Sequence, residues 1–162
     1  PTVAQRCEGA TMLFLLELRA TVKRLSDSVR KGLCSELLFQ LEAIDRGFEV
    51  FIPLSHYSSA DVIVRQPGEV PIAVQVKKAR KTSSGGWRFQ ACKMRHIKGD
   101  TIRTSYKDQA FDVFAVHVQD GVKNWFQFFP LNKIRHKRCL TFQEKSPEIT
   151  INNWHDLKKD EP

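Results

Sequence analysis

An acid at Asp61, an amide at Gln75 and an ammonium at Lys77 have the types and the spacing for work on a phosphate ester. Strand side chains alternate with period two. In "VQVK" Gln75 and Lys77 therefore share one face, and Val74 and Val76 take the other. Asp61 opens the neighbouring strand. Its carboxylate can ligate a hard divalent cation, and the Gln75 carbonyl oxygen can act as a second, neutral ligand. Lys77 is a flexible point charge suited to holding a phosphate oxygen or an attacking water. A cation there would stabilise charge developing on a phosphodiester and help make the nucleophile. Glu36, in the helix upstream, adds negative charge through the cation's water shell.

Convergence of these groups depends on register. In an antiparallel pair, Asp61 faces Gln75 if the turn holds three residues, Pro67, Gly68 and Glu69, flanked by a Gln66 to Val70 pair. A two-residue turn would set Asp61 opposite Val74 and onto the wrong face.

The elements that must position these residues follow from periodicity. Residues 8 to 30 predict a helix, Gly32 interrupts it, and "LCSELLFQLEAIDRG" predicts a second. In that second helix Leu33, Leu37, Leu41 and Ile44 line one face, with Leu38 beside it, and Gly47 is the stop. "FEVFIPL", "ADVIV" and "VPIAVQVKK" read as strands, the last two joined through "RQPGE". "FDVFAVHV" and "KNWFQFF" flank Asp120-Gly121, a hairpin signal. Between the third and fourth strands a polar turn, "KTSSGGW", leads into a loop carrying a short helix around residues 90 to 98. After Pro130, "LNKIRHKR" reads as a short basic helix, and "LTFQEKSPEITINNW" as a late hairpin or an extended tail. The order helix, three strands, insertion, two strands is α/β or α+β in type. The expected domains are an N-terminal helix over 1–31, a core over 32–138 with a basic insertion at 78–107, and a C-terminal tail over 139–162.

The chain has 162 residues, 41% hydrophobic and 27% charged, enough for one domain with a real core. Its net charge of +8 is unevenly placed: Lys77 to Lys107 holds ten Lys/Arg against one acid, Asp100, and the rest is close to neutral. Lys78, Arg80, Lys81, Arg88, Lys98 and Arg103 are the candidate nucleic-acid contacts, because a local surplus of this kind fits a polyanion before a membrane. A solvated face is the plainer reading of the same run. Cys7, Cys34, Cys92 and Cys139 make no ligand pair, which argues against a zinc module or a disulfide-stapled secreted fold and fits a reducing compartment better. The apolar "ATMLFLL" ends at Glu17, short of the roughly 20 residues a bilayer span needs. The expectation is a soluble, intracellular protein of the cytoplasm or nucleoid.

Other groups carry less. The five histidines lack ligand spacing, Ser55, Ser58 and Ser59 have no partnered base, and no Lys-Ser/Thr follows Gly85-Gly86. Trp87 and Phe89 read as core rather than base-stacking rings. Asp112, inside an apolar strand, reads as structural, since a carboxylate there must be paired. Tyr57 and Tyr106 are undecided.

Taken together, "SELLFQLEAIDRGFEVFIPLSHYSSADVIV" and "VPIAVQVKK" resemble the core of the PD-(D/E)XK nuclease superfamily, closest to the branch of intron homing endonucleases and archaeal Holliday junction resolvases. The resemblance runs from about Gly32 to Lys77 and is looser through "DQAFDVFAVHVQDGVKNWFQFFPL". By it Glu36 stands at the helix glutamate, Asp61 at the metal-binding aspartate, Gln75 at the variable acid and Lys77 at the lysine. Ala60 replaces the family's proline, and Gln75 removes one negative charge from the metal site. The resemblance implies an α/β, restriction-endonuclease-like fold, with a central mixed sheet flanked by helices. It also implies an endonuclease using Mg²⁺, with Mn²⁺ as substitute, that hydrolyses duplex or branched DNA to 5′-phosphate products as a homodimer or higher homo-oligomer. The alternative, favoured by Gln75, is a non-catalytic nucleic-acid-binding module on a decayed nuclease fold.

Overall fold

The computed structural model describes residues 26–55, 58–97, 100–106, 110–134, 136–143, 154 and 157. Contacts divide the chain into two units, Pro1–Cys34 and Ser35–Pro162. In the first, the described residues open helix α1 (Asp27–Asp45), whose Asp27 pairs with Arg30 and Lys31 in the first turn. The rest of the helix predicted over 8 to 30 lies outside the described residues.

Gly32 does not interrupt α1, which runs straight through it. A helical glycine costs about 1 kcal/mol relative to alanine, and the Leu, Glu and Gln positions after it are good helix formers. The stop is Gly47, as expected. Its φ of 81° lets Phe48 N–H donate to Ala43 C=O at 3.0 Å and Gly47 N–H to Ile44 C=O at 2.9 Å. The face of Leu37, Leu41 and Ile44 is exposed; Phe39 and Ala43 are the buried apolar side chains.

Among the described residues ten strands follow in chain order: β1 (Glu49–Phe51), β2 (Val62–Arg65), β3 (Ile72–Lys78), β4 (Arg80–Lys81) and β5 (Trp87–Gln90), then β6 (Cys92–Ile97), β7 (Asp100–Ser105), β8 (Val113–Asp120), β9 (Lys123–Pro130) and β10 (Cys139–Phe142). The central sheet has the order β1-β2-β3-β8-β9, in which only β3 and β8 run parallel. Parallel neighbours require a long crossover, and here the basic stretch is that crossover. Among its described residues the regular elements are the strands β4, β5, β6 and β7. The helix expected around residues 90 to 98 is replaced by β6, paired with β7. Six-residue strands with no continuous apolar face leave no period to read in the sequence.

Alternation along the central strands separates two cores. Val62, Val64, Val74, Val76, Val113 and Ala115 pack with Phe39, Phe128 and Trp154 on one face. Phe114, Val116, Val118 and Phe129 pack on the other with Trp87, Phe89, Leu140 and Phe142. Trp87 and Phe89 are therefore core, as expected. They come from a second sheet, β10-β5-β4, in which residues 139–142 pair with β5; most of the late hairpin or tail expected over "LTFQEKSPEITINNW" lies outside the described residues. The β8–β9 hairpin turns at Gly121, with Asp120 opposite Lys123, and the four-residue α2 (Leu131–Ile134) follows Pro130. Among the described residues no helix is long and apolar enough to cross a membrane.

Candidate active site

The β2–β3 register is the one with a three-residue turn. Val62, Ile63 and Val64 oppose Val74, Ala73 and Ile72. Glu69 N–H donates to Gln66 C=O at 3.0 Å, and Gly68 has a φ of 84°. One step beyond Val62, Asp61 meets Gln75. Its N–H donates to Val74 C=O at 2.9 Å, which ties the residue to β3. Its Oδ2 accepts from Val76 N–H at 2.8 Å and also from Gln75 Nε2. Asp61 thus completes the end of the β2–β3 ladder with its side chain.

Lys77 shares the Gln75 face and has its Nζ 5.7 Å from the centre of the Tyr106 ring. Glu36, half-buried on α1, lies close enough for its charge and those of Asp61 and Lys77 to act on one another. Burial, before any neighbour, holds the carboxyls of Glu36 and Asp61 above their usual range. Asp61 raises Glu36 further, while Lys77 pulls both down. Burial pushes the Lys77 ammonium the other way, below the usual lysine value, against the pull of Asp61 and Glu36. All three charged forms are penalised by desolvation; Lys77 offsets part of that for both carboxylates, and the Val76 and Gln75 hydrogen bonds offset more of it for Asp61.

The carboxylates of Asp61 and Glu36 are hard oxygen donors of the kind Mg²⁺ or Mn²⁺ prefers, so they fit such an ion, while Gln75 turns its Nε2 to Asp61 and its Oε1 to the Tyr106 hydroxyl. Among the described residues no group of three or more His, Cys, Asp or Glu could hold a metal.

Two groups of this site carry no signal in the sequence. Tyr106, just after β7, is buried and donates its hydroxyl to Gln75 Oε1 at 3.3 Å. Burial raises its pKa further above the usual phenol value, so the hydroxyl stays neutral. Lys93 on β6 donates to Ser59 Oγ at 2.8 Å and lies 5.3 Å from the same ring. It faces a hydroxyl and a π-cloud, two neutral partners. Period two relates Tyr106 to Thr104 and Ile102, but no spacing ties it to Gln75, 31 residues away.

The basic candidates scatter. Arg80 and Arg88 oppose each other across β4 and β5, both exposed. Lys78 donates to Gln119 at 2.9 Å from the face of β3 opposite Lys77, and Lys81 pairs with Asp120 at 2.9 Å. Arg103 is exposed on β7; Lys98 lies outside the described residues. Asp112 has the structural role expected, its Oδ2 accepting from Ala73 N–H at 2.8 Å.

A chain of hydrogen bonds from buried Ser35 Oγ to buried His117 Nδ1 (2.8 Å), and from His117 Nε2 to the oxygen of exposed Asn124 (3.2 Å), has the connectivity of a nucleophilic triad. Ser35 is 1% exposed and His117 2%, so no substrate reaches it; it ties α1 to the β8–β9 hairpin.

A profile of PD-(D/E)XK endonucleases matches residues 27–156, from the start of α1 past β10. The chain belongs to the PD-(D/E)XK endonuclease family. Among solved structures it is similar to a bacterial homing endonuclease, I-Ssp6803I. The TM-score is 0.63 and the identity 22%, over 76% of this chain and 82% of that one. At that identity the likeness is one of fold, and it agrees with the five-stranded mixed sheet described above. A search of curated protein sequences returns no match. The chain is thus a nuclease-family protein with a restriction-endonuclease-like fold, and its Gln75 and Lys77 stand on β3.

Proposed function

We propose that this chain is a divalent-metal-dependent endodeoxyribonuclease. The observation that carries the reading is the Asp61–Gln75–Lys77 cluster on one sheet face, with Glu36 electrostatically coupled to it. Asp61, the Gln75 oxygen and Glu36 would hold the ion. Bound there, it would supply charge stabilisation at the phosphate and a more acidic water. Lys77 orients that water and the phosphate oxygen it attacks. Because burial weakens its hold on its own proton, it is also suited to receive one from the water. Tyr106 fixes the Gln75 amide from behind. By analogy with family members that cut both strands of a duplex as dimers or higher oligomers, the working form is a homo-oligomer, which light scattering after gel filtration tests.

A specific observation also favours a binding module without activity. Gln75 turns its nitrogen, not its oxygen, to Asp61, closing a hydrogen bond that needs no cation.

The deciding experiment is cleavage of labelled four-way junction, linear duplex and mixed genomic DNA with Mg²⁺, Mn²⁺ or EDTA. Wild-type protein should cut only with metal, and Asp61→Ala and Lys77→Ala should each lower the rate at least about 100-fold. Cutting that persists in both variants removes the site from the reaction. Salt-sensitive binding with no cutting of any DNA favours the module. The preferred substrate separates junction resolution from site-specific cutting.

A further inference from the structure

The β6–β7 pair is a ribbon with little to pack against. It hydrogen-bonds as a two-stranded sheet of its own, and every residue of β7 is exposed, on both faces of the strand. An isolated pair of strands is marginal in water, so its exposed side chains need an account outside the core. The base of the ribbon, by contrast, is pinned into the candidate active site. Lys93 reaches Ser59, two residues before Asp61, and Tyr106 reaches Gln75. The ribbon therefore leaves the protein directly beside the cluster that would hold the scissile phosphate.

Its dimensions and charge match one partner. Six residues of strand extend about 20 Å, the rise of about six base pairs. The B-DNA major groove is about 12 Å wide and admits a two-stranded ribbon. The stretch from Lys77 to Lys107 that contains it has ten Lys/Arg and one acid. Register assigns the faces. Lys93 opposes Thr104 and Met94 opposes Arg103, so Thr104, Ile102 and Lys93 share the face that continues into Tyr106 and the site. Arg103 and Met94 share the other. Ile102 is 47% exposed, an apolar branched side chain with no core to enter, and Thr104 beside it offers both a donor and an acceptor. Among the described residues Arg103 has no ion-pair partner.

We propose that the β6–β7 ribbon lies in the major groove next to the scissile phosphate and reads base edges through Thr104 and Ile102, with Arg103 on the flanking backbone. The inference rests on the nuclease reading and narrows its substrate to duplex DNA with sequence preference. Ile102 meets a thymine methyl, an apolar contact the minor groove does not offer, and Thr104 bonds a base donor or acceptor. Arg103 neutralises a phosphate and carries no sequence information.

The test is selection of bound duplexes from a randomised pool by the full chain carrying Asp61→Ala, which is not expected to cut. The pool should converge on a preferred sequence. Thr104→Val and Ile102→Thr, both of which keep strand propensity, should each relax that preference at one or two neighbouring positions by about ten-fold, without changing the salt dependence. Arg103→Gln should leave the preference intact and lower the salt slope of binding by about one. A pool that never converges, or a preference that survives both ribbon variants, overturns the inference while leaving the nuclease reading standing. Failure of the full chain to bind DNA at all overturns both. Thermal denaturation of each variant confirms that the fold is kept.

Discussion

At the scale of single residues, the site is expensive and its cost has a sign. Burial and the Asp61 charge hold Glu36 above its usual 4.5, so the folded chain binds that proton more tightly than the unfolded chain does. The stabilisation this gives is complete below pH 4.5 and is lost as pH rises through the raised folded value. Glu36→Gln cannot titrate and escapes the loss. In EDTA its melting temperature should match wild type at low pH and exceed it at pH 7 to 8. A difference that stays constant across that range would mean Glu36 is not desolvated in the folded state. A divalent ion should close the gap from the other side by stabilising wild type more than the variant. Gln75→Glu restores the missing charge and should tighten Mg²⁺ binding in calorimetry; unchanged affinity would place Gln75 outside the coordination sphere. Asp61, Gln75 and Lys77 were legible in the sequence because strand alternation is local and a Pro-Gly turn allows few registers. Tyr106 and Lys93 were not legible, because they reach the cluster through tertiary placement of the ribbon, which no spacing encodes.

At the scale of elements, the parallel pair β3 and β8 is the joint on which the site depends, and Asp112 locks its start. Its Oδ2 accepts from Ala73 N–H, its own N–H donates to Ala73 C=O at 2.9 Å, and its C=O accepts from Leu131 N–H at 2.9 Å. One residue thereby links β3, β8 and the entry to α2. Asp112→Ala strands the Ala73 N–H without its acceptor and should cost about 1–3 kcal/mol in urea unfolding, with Asp112→Asn recovering part of it. An unchanged midpoint in the alanine variant would show that water replaces the carboxylate freely. The central strands and their hairpin were readable because buried strands carry dense Val, Ile and Phe. The β6 strand was not, since "CKMRHI" shows no apolar alternation to read. Gly32 misled for a related reason: a glycine marks a helix end only where the backbone needs a positive φ, as at Gly47 and not at Gly32.

At the scale of the whole molecule, the charge surplus is a property of the crossover between β3 and β8, and the structure sorts it by what each cation touches. Lys81 is spent on Asp120 and on the Trp87 ring, 5.5 Å from its Nζ, and Lys78 on Gln119. Arg80 and Arg88 differ. They are directly opposed on adjacent strands, where like charges repel, and the neighbour of Arg88 on the far side is Thr141, at 3.4 Å. Two guanidiniums and a hydroxyl in a row across three strands are a poor arrangement for a free protein and a good one for a phosphate backbone. Arg80→Gln with Arg88→Gln should therefore leave the fold as stable as before, or slightly more so, because a repulsion is removed. The same double variant should weaken duplex binding and flatten the dependence of log K on log salt by about two units, close to 0.9 for each phosphate left without its guanidinium. Lys81→Gln is the internal control. It removes an equal charge from a side chain already paired with Asp120, and should change the slope by well under one unit. Equal effects from all three substitutions would mean that DNA senses only the net charge of the crossover and that the Arg80–Arg88 row binds nothing of its own.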